Sequence, residues 1–119
     1  MWYQKRWMRL LTVLKMVKAK YHVLVSIRAE AMLLQHVRFL AKVSVRAARR
    51  LSAEYKKSLA ELKKNPERFP FLELDGIPPR LYRKCLFYDR YELIFMIADD
   101  IVNIDAVRDC RQNPDNLLS

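Results

Sequence analysis

Residues 80–111 read RLYRKCLFYDRYELIFMIADDIVNIDAVRDCR, and this stretch decides the fold. Three strand candidates follow one another in quick succession: Arg80–Phe87, Tyr91–Ile97 and Ile101–Val107. Asp89–Arg90 and Asp99–Asp100 separate them. Connections that short leave no room for a crossover, so the runs predict a hairpin-joined antiparallel meander. The middle run contains LIFMI, apolar throughout, and is expected to be the most buried of the three. Asp99–Asp100 reads as turn chemistry rather than as a working carboxylate pair.

Working outward, residues 65–79 (NPERFPFLELDGIPP) hold four of the five prolines and the one glycine. They predict an ordered loop, because Phe69, Phe71 and Leu72 require burial. Upstream of it, Ala48, Leu51, Tyr55, Leu59 and Leu62 recur at helical spacing. They predict a helix from Val45 to about Lys64 that Asn65–Pro66 stops. Ala29, Leu33, His36, Val37 and Leu40 mark another helix from Arg28 to about Lys42. Ser26 and Ser44 stand where N-caps belong, and the short break at Val43–Ser44 implies an antiparallel helical hairpin. Tyr21–Ile27 (YHVLVSI) is short, β-branched and roughly alternating, which reads as a strand. The order is β-α-α-β-β-β. It predicts an α+β two-layer sandwich: an N-terminal strand, an antiparallel helical hairpin, then a three-stranded antiparallel meander. The hairpin covers one sheet face and leaves the other partly open.

A chain of 119 residues suits one domain, and 52% apolar content can build its core. One glycine rules against phosphate-cradling loops and dinucleotide fingerprints, which need several. The formal charge is +10, but residues 1–20 hold six cations and no acid. Residues 21–119 carry 17 basic and 13 acidic side chains, so that part is only mildly basic. The two cysteines, Cys85 and Cys110, lack zinc-site spacing and are too few for a disulfide scaffold, which fits free thiols in a reducing cytoplasm. No stretch reaches the roughly 20 apolar residues of a membrane span. Three readings compete for the amphipathic, basic residues 1–19: a membrane-surface helix, a nucleic-acid-touching arm, or an extension from a misassigned start. The last is preferred, since Met16 stands just before the first strand. The domain is expected over residues 20–114, with 115–119 as a tail.

Three segments carry a resemblance to a known family: YHVLVSIRAEAMLLQHVRFL (21–40), AARRLSAEYKKSLAELKKNPERFP (47–70) and YRKCLFYDRYELIFMIADDIVNIDAVRDCRQNP (82–114). In order and spacing they resemble the RelE/ParE toxin superfamily. The resemblance rests on the Ser-x-Arg-Ala-Glu entry to the first helix, the Asn-Pro-Glu-Arg-Phe-Pro exit from the second, the Tyr-x-Leu-Ile-Phe hairpin and the closing Asp-Cys-Arg-Gln. It implies the toxin of a type II toxin–antitoxin system of the plasmid-stabilisation type, inhibiting growth until a cognate antitoxin neutralises it. ParE-like members act on DNA gyrase without nuclease activity. RelE-like members are metal-independent endoribonucleases that cut messenger RNA on the ribosome. A third reading is an inactive member kept for antitoxin and operator binding. Operator DNA would be met only through the antitoxin complex, and no cofactor is implied.

Cutting RNA without a metal requires a base, a proton donor and cations for the phosphate. In the RelE branch these groups lie on the open sheet face and near the C-terminus. Strand alternation puts Arg80, Tyr82 and Lys84 on one face, and Arg83 on the other beside Leu81, Cys85 and Phe87. Arg108 and Arg111 lie at and beyond the last strand. The catalytic candidates are therefore Arg80, Tyr82, Lys84, Arg108 and Arg111, and the antitoxin- or target-binding candidates are Arg80, Arg83, Arg108 and Arg111. Arg111, inside the matching motif, ranks first. No Tyr or His follows it, which departs from the RelE pattern and turns the reading toward ParE. His22 and His36 form no metal cluster with a neighbouring Cys or carboxylate, and His36 reads as a core or boundary residue.

Overall fold

The computed structural model describes residues 21–111. The expectations for residues 1–19 and 115–119 lie outside those residues. Within them the order is β1 (His22–Val25), α1 (Ile27–Val43), α2 (Val45–Lys64), a 3-10 turn (Pro66–Arg68), β2 (Arg83–Phe87), β3 (Tyr91–Ala98) and β4 (Ile101–Asp109). This is the expected β-α-α-β-β-β sandwich. The helices begin where the serines predict. Ser26 Oγ accepts from Ala29 N at 3.0 Å and Ser44 Oγ from Ala47 N at 3.1 Å, each satisfying a donor the helix itself cannot. Ser44 also closes α1, its own N–H reaching Leu40 O at 2.8 Å, so one residue serves both helix ends.

The four strands form one sheet in the order β1-β4-β3-β2. β2, β3 and β4 make the predicted meander, while β1 lies parallel to β4, in register from His22–Ile101 to Val25–Ile104. The Asp99 turn and the Tyr88–Asp89 turn both use left-handed backbone (φ 55°, 49° and 60°), which tight hairpins require. One sheet face meets the helical hairpin. Leu51 and Leu62 from α2 pack with Leu93, Phe95, Val102, Ile104 and Val107, all wholly buried. Each such side chain contributes about 1.5–3 kcal/mol by leaving water.

The other face departs from expectation. Residues between the 3-10 turn and β2 fold back across it, and Leu72, Leu74, Ile77 and Tyr82 cover Ile94 and Ala106. Leu72 N reaches Tyr82 O at 2.7 Å and Lys84 N reaches Pro70 O at 3.0 Å, so this segment also guards part of the β2 edge. β2 starts at Arg83 rather than Arg80. Pro78–Pro79 can donate no ladder bonds, and Arg80 is left-handed at φ 62°. The chain turns there before it can pair. Opposite Ile94 and Phe95 the β4 register skips Asp105, a bulge that sends Ala106 to the loop side and keeps Ile104 and Val107 under the helices.

Candidate functional site

Where β4 ends, Asp109 turns its carboxylate under α1 and is 6% exposed. Arg90, in the β2–β3 turn, donates to Asp109 Oδ2 at 3.1 Å. Arg111 binds the same carboxylate through its backbone N at 3.0 Å and its guanidinium at 3.4 Å. Two cations on one anion leave a positive charge uncompensated. Arg111 keeps 63% of its side chain exposed, so its remaining donors face solvent. The Arg90 guanidinium lies over the Tyr91 ring at 5.0 Å, and its Nε is buried without a partner.

α1 supplies the opposite wall. His36 Nε2 lies 2.9 Å from Val107 O, and because a carbonyl only accepts, that nitrogen carries the proton. Its ring meets Tyr91 edge-on at 5.2 Å. Gln35, His36, Phe39, Arg90, Tyr91, Asp109 and Arg111 line an open cavity of about 590 Å³. Phe39 stands 63% exposed at its rim, one turn from Val43, which is 77% exposed. The cavity therefore offers guanidinium donors, an amide, and aromatic surface. That combination suits an anionic group carried on an apolar body.

Proton chemistry is poorly provided for. Burial pushes the Tyr91 hydroxyl above its usual range. The Tyr82 hydroxyl is raised too, chiefly by its hydrogen bond to Asp105. Burial raises both thiols, Cys85 to about 11. Among the described residues that line the cavity, His36 supplies the imidazole, and its Nε2–H is committed to Val107 O. Among the described residues no group of three His, Cys, Asp or Glu side chains is placed to hold a metal.

The sequence candidates divide. Arg111 lies at the cavity. Arg108 lies on the opposite face, 3.8 Å from Glu92, with both side chains about 15% exposed. Its charge is offset within the molecule. Lys84 and Tyr82 share that loop-side face with Arg108, opposite and beside Ile94. Arg80 does not join them. It sits in the turn, 5.6 Å from the Phe71 ring. Arg83 packs on the same ring at 4.0 Å and donates to Glu67 O and Phe69 O at 3.0 and 2.7 Å, so it clamps the loop. Sequence reasoning missed Arg90, Asp109 and Tyr91 as site residues and placed His36 only as a boundary group. The one available signal was Asp109-x-Arg111, where spacing of two puts a carboxylate and a guanidinium on the same side of a strand end.

No protein-family model matches the chain, and no curated protein matches its sequence. Among solved structures, a chain of the chromosomal ParDE TA system from P. aeruginosa is similar with a TM-score of 0.59. The match covers 77% of this chain and 98% of that one at 10% identity. The likeness is one of fold. It reaches nearly the whole of the neighbour, so the shared unit is the sandwich itself rather than a fragment.

Proposed function

We propose that the chain is the toxin of a type II toxin–antitoxin pair, a cytoplasmic growth inhibitor that binds a cellular target and is neutralised by a cognate antitoxin. The target in this reading is ParE-like, with DNA gyrase the first to test. What supports it most is the likeness of fold to a ParDE chain, which spans 98% of that chain. The cavity supports it as well: Arg111 and Arg90 offer charge while Phe39 and Val43 leave apolar surface that a partner would cover. Of the four arginines first considered for binding, Arg83 clamps the loop and Arg108 is mostly buried against Glu92. Arg111, although bound to Asp109, keeps 63% of its side chain exposed, and Arg80 is exposed in its turn.

One observation favours a second reading, a ribosome-dependent endoribonuclease. His36 and Tyr91 line the same cavity as Arg111, and so supply the side chains that residues after Arg111 lack. Against it stand the raised Tyr91 and the committed His36 Nε2–H. The deciding experiment is induction in cells of the full chain and of Arg111→Ala. Growth, transcript integrity and gyrase-linked DNA breaks are followed together. Arrest with DNA breaks and intact transcripts is the expected result. Arrest with transcript cleavage that His36→Ala abolishes would replace this reading with the nuclease, and no arrest at all would retire both.

A further inference from the structure

α2 carries a feature that the cavity does not use. Apart from Val45, Ala53 and Ala60, every exposed position along it is lysine or arginine. Arg46, Arg49, Arg50, Lys56, Lys63 and Lys64 line the solvent side. A seventh cation, Lys57, sits beside Glu54 and Glu61 at a separate cavity and is left aside. The α2 acids, Glu54 and Glu61, are half-buried, and Glu61 is already paired with Arg68 at 2.9 Å. Among the described residues, none of the six cations is paired with an acid.

Helix stability does not explain this arrangement. Lys63 and Lys64 do suit the negative end of the helix dipole. Arg46, Arg49 and Arg50 do the reverse, crowding the positive end, where the first turn contains no acid. Arg46 also repels Arg49 and Arg50, three and four positions on. An ordinary solvated helix face mixes both signs. Local rules broken in one direction along a whole face point to a ligand.

We propose that the exposed face of α2 binds the phosphodiester backbone of a nucleic acid, without reading its sequence. From Arg46 to Lys64 the face spans about 27 Å at 1.5 Å per residue, enough to follow several successive phosphates. Its neutral positions are only alanines and the terminal Val45, so it offers nothing to insert into a lipid surface and no apolar seam for an amphipathic peptide helix. Exposed apolar side chains of that kind lie on α1 instead, at Ile27, Leu34, Phe39 and Val43. Two features remain on α2, charge of one sign and linear extent, and a phosphate backbone matches both.

The proposal is independent of the toxin reading. Arrest and transcript assays test that reading, and nucleic-acid affinity tests this one. The experiment titrates the full chain against a labelled 24-base-pair DNA duplex and a 24-nucleotide RNA strand, by fluorescence anisotropy across a salt series. The triple variant Arg46→Gln, Arg49→Gln, Lys56→Gln is expected to weaken binding about ten-fold or more. It should also lower the salt slope by about two to three units, close to one per lost phosphate contact. The charge-keeping triple Arg46→Lys, Arg49→Lys, Lys56→Arg should restore both, and circular dichroism confirms the helix in each. Tighter binding to one strand type, with the same loss in the variant, identifies duplex or single strand as the source of the phosphates. An unchanged slope in the neutralised triple overturns the proposal. So does binding that disappears only when Lys5, Arg6 and Arg9 are changed to Gln. A loss seen only with phosphatidylglycerol vesicles or a polyglutamate peptide, and not with nucleic acid, overturns it equally.

Discussion

Asp109 and Arg111 touch each other, yet the structure gives them different tasks. The Asp109 carboxylate is the shared acceptor for Arg90 and for Arg111 and lies under α1. Asp109→Ala would leave the Arg90 guanidinium, whose side chain is only 27% exposed, without its anion. Losing one partner of such a pair costs about 2–4 kcal/mol, so the urea midpoint should fall clearly. Arg111→Ala removes a mostly exposed side chain and should change stability by no more than about 0.5 kcal/mol while removing target or partner binding. Equal losses of stability in the two variants would make Arg111 structural and end its candidacy. Cys85 gives a prediction in pH. Burial raises its thiol to about 11 from 9.0, so the folded protein holds a proton that the unfolded chain has released between those values. The unfolded state then binds fewer protons, and stability falls with rising pH. This contribution is complete below about pH 9 and disappears as pH climbs through 11. Urea midpoints from pH 8 to 10.5 should decline less steeply in Cys85→Ala, although that variant starts lower because of its cavity. Parallel slopes would show that the thiol does not titrate differently in the two states.

α2 was legible in the sequence to the residue, because everything that bounds it is local: Ser44 caps one end and Asn65–Pro66 stops the other. Ser44→Ala should therefore cost about 1 kcal/mol, losing the bond to Ala47 N while keeping the backbone bond to Leu40 O. A change in urea midpoint too small to measure would mean that water replaces the cap. The meander was legible for the same reason, its turns being written in adjacent residues. β2 was not, since alternation in LYRKCLF continues through a turn that Pro78–Pro79 and the left-handed Arg80 impose. That misplaced boundary is what put Arg80 on the face that Tyr82 and Lys84 do share. The parallel seat of β1 beside β4 depends on pairing across a long separation, and the Asp105 bulge on a register shift inside the β3–β4 hairpin, neither of which the local alternation encodes. The candidate site divides along the same line. Arg111 stood in a quotable motif, whereas the groups that give it meaning come from α1, the β2–β3 turn and β4. Only the fold brings His36 and Arg90 to Asp109.

Among the described residues, the unpaired cations of α2 and the exposed Phe39 and Val43 of α1 lie on different helices. The cations run along α2, while Phe39 borders the cavity that holds Arg111 and Val43 stands exposed one turn further along α1. If an antitoxin neutralises this chain by covering the cavity, Phe39 is the exposed aromatic ring at its rim that the partner must bury. Phe39→Asp places a carboxylate where apolar contact is needed and, the ring being 63% exposed, should leave folding intact. Affinity for that antitoxin, measured by calorimetry, should fall at least about thirty-fold, the size expected of an interface hot spot. Leu86→Asp is the matched control. It is 58% exposed on the edge strand β2 and borders a pocket whose helical wall is Glu54, Lys57, Ser58 and Glu61 of α2, with no residue of α1. It should leave affinity within about two-fold, as changes outside the buried centre of an interface usually do. The reverse order of effects would move the interface to the β2 edge, where strand addition rather than a seated side chain would hold the partner. Arg111 would then be free in the complex, and neutralisation could not work by covering it.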